Sequence, residues 1–354
     1  MAKTDLKFGK KLKEYGAIDF NACYNCGTCT AVCSLSTEED SFPREMVRLS
    51  VLGQSKDITA SLKPWLCYYC GECTTYCPQE AKPGELMMSL RRYLTSRYDW
   101  TGLSGVFYRN TIAYLVGFLI ILGGIIGLHF SGIFDQEEFM HYGHYFEIFS
   151  IVGVFSFILL PNLIRMWKFT VWDTTKFFNV KVYFTSLKEL FVHMFTQKRT
   201  LDCGTERENK IWYIEHLILV VGYLSLLFIT VALDWFGTDI LAINLAGYIV
   251  SFFIFGITFL FMIKRVKKTD EKTTHSHPSD WFFVIWLFLM GITAFAVRVF
   301  VDLDILENNF WMYLFHITIL VQWALIIVPF GKWTHFLYRS FAMYFNAINE
   351  KAKK

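Results

Sequence analysis

Two cysteine quartets carry the densest chemistry in the chain. Cys23, Cys26 and Cys29 are each separated by two residues and Cys33 follows after three more; Cys67, Cys70, Cys73 and Cys77 repeat that spacing, with Pro78 after the last. Three cysteines spaced in this way can wrap one cubane, because a tight loop turns each thiolate toward a different iron. In two-cluster chains of this pattern the fourth cysteine ligates the other cluster. By that rule Cys23, Cys26, Cys29 and Cys77 hold one [4Fe–4S] cluster, and Cys67, Cys70, Cys73 and Cys33 hold the second. Structural zinc takes four ligands in two separated pairs and fits two matched quartets poorly. Cys33 departs from the pattern in being followed by Ser34 rather than proline. Gly27 and Gly71 follow the second cysteine of each motif, where the backbone must pass close to the inorganic core.

The rest of the chain is of a different kind. Of 354 residues, 54% are hydrophobic and only 18% charged, and the net charge of +3 is too small to point to nucleic acid. Residues 1–106 are polar and contain eight of the nine cysteines; beyond them apolar runs dominate. A helix crossing about 30 Å of hydrocarbon needs roughly 20 apolar residues. Six stretches qualify: Thr111–Ile133, Phe146–Met166, Ile211–Leu233, Ile240–Ile263, Trp281–Val301 and Phe310–Phe330. Lys and Arg crowd the connections after spans two and four and the tail, including Arg165, Lys168, Lys264, Arg265, Lys332 and Arg339. The opposite connections carry Asp135, Glu137, Asp302 and Glu307 instead. The positive-inside rule then puts head and tail in the cytoplasm and the chain in the cytoplasmic membrane. Met1–Gly16 lacks the apolar core of a signal peptide, in keeping with a cytoplasmic, reducing compartment for the cysteines. Ser186–Gln197 has Leu187, Leu190, Phe191, Met194 and Phe195 on one helical stripe, which predicts an amphipathic helix on the membrane surface. His193 falls off that stripe, and both His193 and Cys203 read as structural.

Clusters on a membrane body call for a redox partner in the bilayer, and imidazole is an axial ligand of haem. His216 lies a few residues into span three and His335 just past span six, both at the cytoplasmic level. They are the best-matched pair for a haem b. His316, 19 residues before His335, lies about 28 Å away along a helix, enough for a second haem near the outer face. That separation leaves the two roughly 100° apart around the axis, so the Pro329-Phe330-Gly331 break must correct the angle. For the outer partner of His316, depth ranks His144 first, then His129 and His141. Arg298 is placed to pair with a haem propionate or to snorkel to water. Glu147, Asp234, Glu215 and Gln322 are candidates for handling quinone protons. No nucleophile or phosphate-binding motif appears, so no substrate chemistry beyond quinone is expected.

Resemblances extend these readings. Pro43-Arg44-Glu45-Met46, Trp65 to Cys73 and Arg91-Arg92 resemble the alpha-helical ferredoxin fold of the C subunit of heterodisulfide reductase and of the succinate dehydrogenase iron–sulfur subunit. Pro329 to His335, together with Arg207 and His216, resembles the membrane subunit of respiratory nitrate reductase. That family has another histidine ten residues further on, where this chain has Leu226. In domain order the chain is similar to the C subunits of quinone-interacting membrane-bound oxidoreductases, Qmo. The fold implied is mainly α: an alpha-helical dicluster ferredoxin domain over residues 1–106 and a six-helix transmembrane cytochrome b bundle over 107–354. The resemblance implies menaquinone as electron partner, QmoA-like and QmoB-like flavoprotein subunits, and adenylylsulfate (APS) reductase in the cytoplasm. A fused subunit of a heterodisulfide-reductase or Dsr-type complex shares the cofactors. A haem-free membrane-anchored ferredoxin shares only the clusters.

Overall fold

Hydropathy alone builds most of the molecule. The computed structural model describes residues 4–201, 206–231, 241–269 and 271–353; 78% of these are helical, with no strand among them. Six helices are long and apolar enough to cross a membrane: Ile112–Phe130, Gln136–Thr175, Lys210–Ile229, Leu241–Lys267, Pro278–Asp302 and Trp311–Ala352. Each overlaps one of the apolar runs read from the sequence. Only 6% of the apolar stretch of span one is buried, against 61% of span six, which makes span six the central helix.

Where the helices differ from the hydropathy reading, polar residues and prolines are responsible. Span two starts at Gln136 because Asp135 and Glu138 form a capping box, well before the apolar run begins. A π-helical segment, Phe155–Leu159, precedes Pro161, and another, Trp323–Ile327, precedes Pro329. A proline cannot donate to the preceding turn, and the widened turn takes up the mismatch. At Gly331 the backbone turns extended, and a Cβ there would lie 2.7 Å from the Ile327 carbonyl oxygen. A new helix, Thr334–Ala352, then starts with His335 in its first turn. The expected break is thus a π segment followed by an extended glycine.

The head folds from short helices, among them Phe8–Glu14, Arg44–Val51 and Ser55–Ala60, packed on the longer Pro83–Tyr98. Pro83 opens that helix at its first position, where a missing N–H costs nothing. Its core is not closed on itself. Phe8, Met46, Trp65, Leu90 and Tyr98 belong to one apolar cluster with Met166, Leu190, Tyr338 and Phe345 from the later helices.

The amphipathic segment forms Val180–Thr196, opened by Asn179, whose side chain accepts from the N–H groups of Lys181 and Val182. Rather than only resting on a membrane, it packs along Thr334–Ala352. Leu190 is buried, the Tyr344 hydroxyl donates to the Tyr183 carbonyl at 3.2 Å, and Lys351 Nζ donates to Ser186 Oγ at 3.1 Å. Phe191 and Phe195 remain exposed, their rings stacked 6.4 Å apart. Cys203 and Asp234 lie outside the described residues.

Candidate metal centres

The two cysteine loops repeat one backbone shape. Asn25 and Tyr69, each just before the second cysteine, are left-handed, and Gly27 (φ 92°) and Gly71 (φ 91°) just after it are left-handed too. The glycines then open the short helices Thr28–Ala31 and Glu72–Thr75, which carry Cys29 and Cys73 inward. Backbone N–H groups turn toward sulfur in both loops: Asn25 N–H to Cys23 Sγ at 3.4 Å, Tyr69 N–H to Cys67 Sγ at 3.3 Å, and Ala81 N–H to Cys77 Sγ at 3.3 Å. Such donors stabilise thiolates and tune cluster potentials.

The thiols gather across the two motifs. The charges acting on Cys29 include those of Cys23, Cys26 and Cys77, and those acting on Cys33 include Cys67 and Cys70. Burial pushes the Cys33 thiol up to about 11 and raises Cys29, Cys67 and Cys73 as well. At the exposed Cys26, a hydrogen bond with the Thr28 hydroxyl (3.3 Å) lowers it instead. Metal binding therefore has to expel protons from the buried thiols. Among the described residues no three such side chains close around a single ion.

The second loop faces the membrane helices. Trp65, 1% exposed, lies with its ring 6.4 Å from Tyr98 and 5.5 Å from Tyr338, and Tyr338 is three residues beyond His335. Arg91 Nε donates to the Pro64 carbonyl at 2.7 Å and its guanidinium also donates to the Cys67 carbonyl, fixing this loop to the helix Pro83–Tyr98. A buried ion cluster makes a second junction. Asp280, at the start of span five, pairs with Arg92 of the head (3.2 Å) and with Lys332 (2.7 Å). The first loop points the other way: Cys26 is exposed and Tyr24 and Tyr76 flank it at 59% and 57% exposure.

The histidines divide by what holds them. His335 Nδ1 lies 2.5 Å from the Lys332 carbonyl, which can only accept, so Nδ1 carries the proton and Nε2 keeps its lone pair. His216 stacks on Trp212 with centroids 5.0 Å apart, its Nδ1 buried without a partner. His216 and His335 are close enough for their charges to interact. At His316, Thr293 Oγ1 donates to the Leu289 carbonyl (2.7 Å) and so accepts from Nδ1 (2.8 Å), again freeing Nε2. Histidines held this way suit metal ligation, where an outer partner fixes tautomer and ring angle. An orphaned buried nitrogen on His216 and lone pairs on His335 and His316 therefore fit an axially ligated haem.

The outer candidates have ring contacts of their own. His144 packs near Tyr145 (6.1 Å), as does the exposed His141 (4.9 Å), while His129 packs against Phe310 (5.3 Å) and Phe139 (6.0 Å). His316 instead makes its contact with span five. Among the proposed proton handlers, Glu215 accepts both its bonds from Lys264 (2.7 and 2.6 Å), and Gln322 Nε2 donates to the Tyr114 carbonyl at 3.0 Å. Sequence reasoning missed three participants. His193 and Arg339 line one cavity with His335, and Asp280 ties the head to the His335 turn. Isolated charges beside the span ends were visible, but their partners are 188 residues apart in the chain.

Residues 19–81 match the 4Fe-4S dicluster domain family. The head is a dicluster iron–sulfur domain, and it supports two [4Fe–4S] clusters. A heterodisulfide reductase C-subunit-like protein of Archaeoglobus profundus is 30% identical over 88 residues, covering 25% of this chain and 47% of that protein. The chain thus spans about half the length of that relative. No solved structure matches the chain. An iron–sulfur electron-transfer head related to that relative is therefore joined to six helices of membrane-spanning length and composition.

Proposed function

We propose that this chain is a membrane electron-transfer subunit of a Qmo-type complex, working between menaquinone and cytoplasmic flavoprotein subunits. In this reading residues 1–106 are the cytoplasmic head and 107–354 the haem b and quinone-interacting part, with both termini in the cytoplasm. Cys23, Cys26, Cys29 and Cys77 bind one cluster and Cys67, Cys70, Cys73 and Cys33 the other. His216 and His335 hold the inner haem b; His316, with His144 opposite, is the candidate pair for an outer one. Clusters and haem, when bound, accept and release single electrons. QmoA-like and QmoB-like subunits would dock at the exposed Cys26 loop, with APS reductase beyond them.

The observation that carries the reading is the seating of the second cysteine loop on the helix that bears His335. Trp65 lies two residues before Cys67 with its ring 5.5 Å from that of Tyr338, and Trp65, Cys67 and Tyr338 belong to one apolar cluster. An anchor alone would not need that contact, nor imidazoles held with Nε2 free. A heterodisulfide-reductase-type complex is the second reading, favoured by the relative from Archaeoglobus profundus. The proteins that co-purify with the chain separate the two.

Haem b per chain, measured by pyridine haemochrome on the purified protein with iron counted alongside, tests the proposal. At least one haem is expected, lost on substitution of His216 or His335 with the iron content kept. A second haem, lost selectively with His316 or His144, would support the outer pair. A folded, cluster-loaded preparation without haem absorption would leave an anchored ferredoxin and sink the quinone reading.

A further inference from the structure

The helix Thr334–Ala352 presents His335, Tyr338 and Arg339 at positions i, i+3 and i+4, neighbours on one face. Tyr338 meets Trp65 of the second cysteine loop. Arg339 and His335 line a single cavity together with His193, Gln197 and Ser340. The cavity, of about 20 Å³, has room for roughly one water. The field of Arg339 reaches the head at Cys67 and span three at His216. One guanidinium thus acts on a cluster ligand and on one of the two imidazoles proposed for the inner haem, and shares a cavity with the other.

We infer that Arg339 is a shared tuning charge, setting the reduction potentials of the Cys67 cluster and of the His216/His335 haem together. The inference rests on the haem reading given above. Reduction of either centre adds one negative charge, and a fixed cation nearby favours that reduced form. Because the same charge acts on both centres, it raises both potentials while altering their difference less. Electron transfer between them thus keeps its driving force while the pair is matched to the quinone. Arg339 ligates neither centre, so its effect is electrostatic and a lysine should reproduce much of it.

The test is a redox titration of the purified full chain, with haem followed optically and the clusters by electron paramagnetic resonance. In Arg339→Gln, both centres should become harder to reduce by about tenfold, which is about 59 mV for a one-electron couple. Arg339→Lys should restore most of that shift at unchanged haem and iron content. Unchanged potentials in Arg339→Gln, or a shift of one centre alone, would overturn the inference. Should Arg339→Gln lose a cofactor, Arg339→Met provides the second variant, keeping an unbranched stem in the same place while removing the charge. It must lower the haem potential, and a potential equal to that of the unaltered chain overturns the inference as well. Absence of haem from the unaltered chain defeats the underlying reading instead, so the two failures are distinct.

Discussion

At Cys29 and Cys33, four residues apart in one motif, the neighbouring thiols come from different quartets. The short helix Thr28–Ala31 turns Cys29 toward Cys23, Cys26 and Cys77, and the chain leaving it takes Cys33 toward Cys67 and Cys70. Crossed ligation, as proposed, has a sharp consequence. Cys77→Ala should remove the cluster at the exposed Cys26 loop and halve the cluster iron, although Cys77 belongs by sequence to the other motif. Electron paramagnetic resonance should retain the signal of the buried cluster, the one that Cys33→Ala removes. Loss of the buried signal in Cys77→Ala would mean that each motif keeps its own cluster. The approach of thiols from the two motifs was legible in the cysteine spacing, and the Cys77 and Cys33 variants test which of them ligate which cluster. The histidine tautomers were not legible, since the Lys332 carbonyl and Thr293 hydroxyl that set them are matters of three-dimensional contact.

Span five begins with two devices in one turn. His277 caps the helix, Pro278 fills its first position, and Asp280 completes the capping box while pairing with Arg92 and Lys332. Lys332 in turn supplies the carbonyl that orients His335. Asp280 thereby joins three elements: the head helix Pro83–Tyr98, the start of span five and the turn before Thr334–Ala352. Arg92 and Asp280 are only 9% and 10% exposed, so removal of the carboxylate leaves a guanidinium buried without its counter-charge. The cost for a buried pair broken on one side is about 3–5 kcal/mol. Asp280→Asn should lower the thermal unfolding midpoint in detergent, with little relief from added salt because the pair is shielded from it. The same variant should perturb the haem spectrum, whereas an equally destabilising core truncation away from Lys332 should not. An unchanged midpoint would show that Asp280 does not hold the junction. Hydropathy found all six spans because lipid-facing residues announce themselves. It missed the π segments and the long start of span two because those depend on prolines and polar caps.

Across the whole molecule, composition switches from polar to apolar near residue 106, while packing runs straight through the switch. Trp65, Leu90 and Tyr98 share one core with Met166, Tyr338 and Phe345. Arg165 adds polar ties, donating to the Tyr98 carbonyl at 2.9 Å and the Arg97 carbonyl at 3.2 Å. The head thus uses the membrane helices as the far wall of its own core. A buried tryptophan or phenylalanine is worth about 3–5 kcal/mol by truncation to alanine, and folded domains hold only about 5–15 kcal/mol in all. Stripping the partner wall from Trp65 and Tyr98 together would consume much of that margin. Residues 1–106 produced alone should therefore aggregate or bind a hydrophobic dye, and should lose the cluster at Cys67 more readily than the one at Cys26. Size-exclusion chromatography with iron analysis checks this. A soluble, monomeric fragment carrying both clusters would mean that the head closes its own core and that the membrane helices only tether it. The opposite result would tie cluster retention to the contact between Trp65 and Tyr338, the same contact that brings the buried loop to the His335 turn.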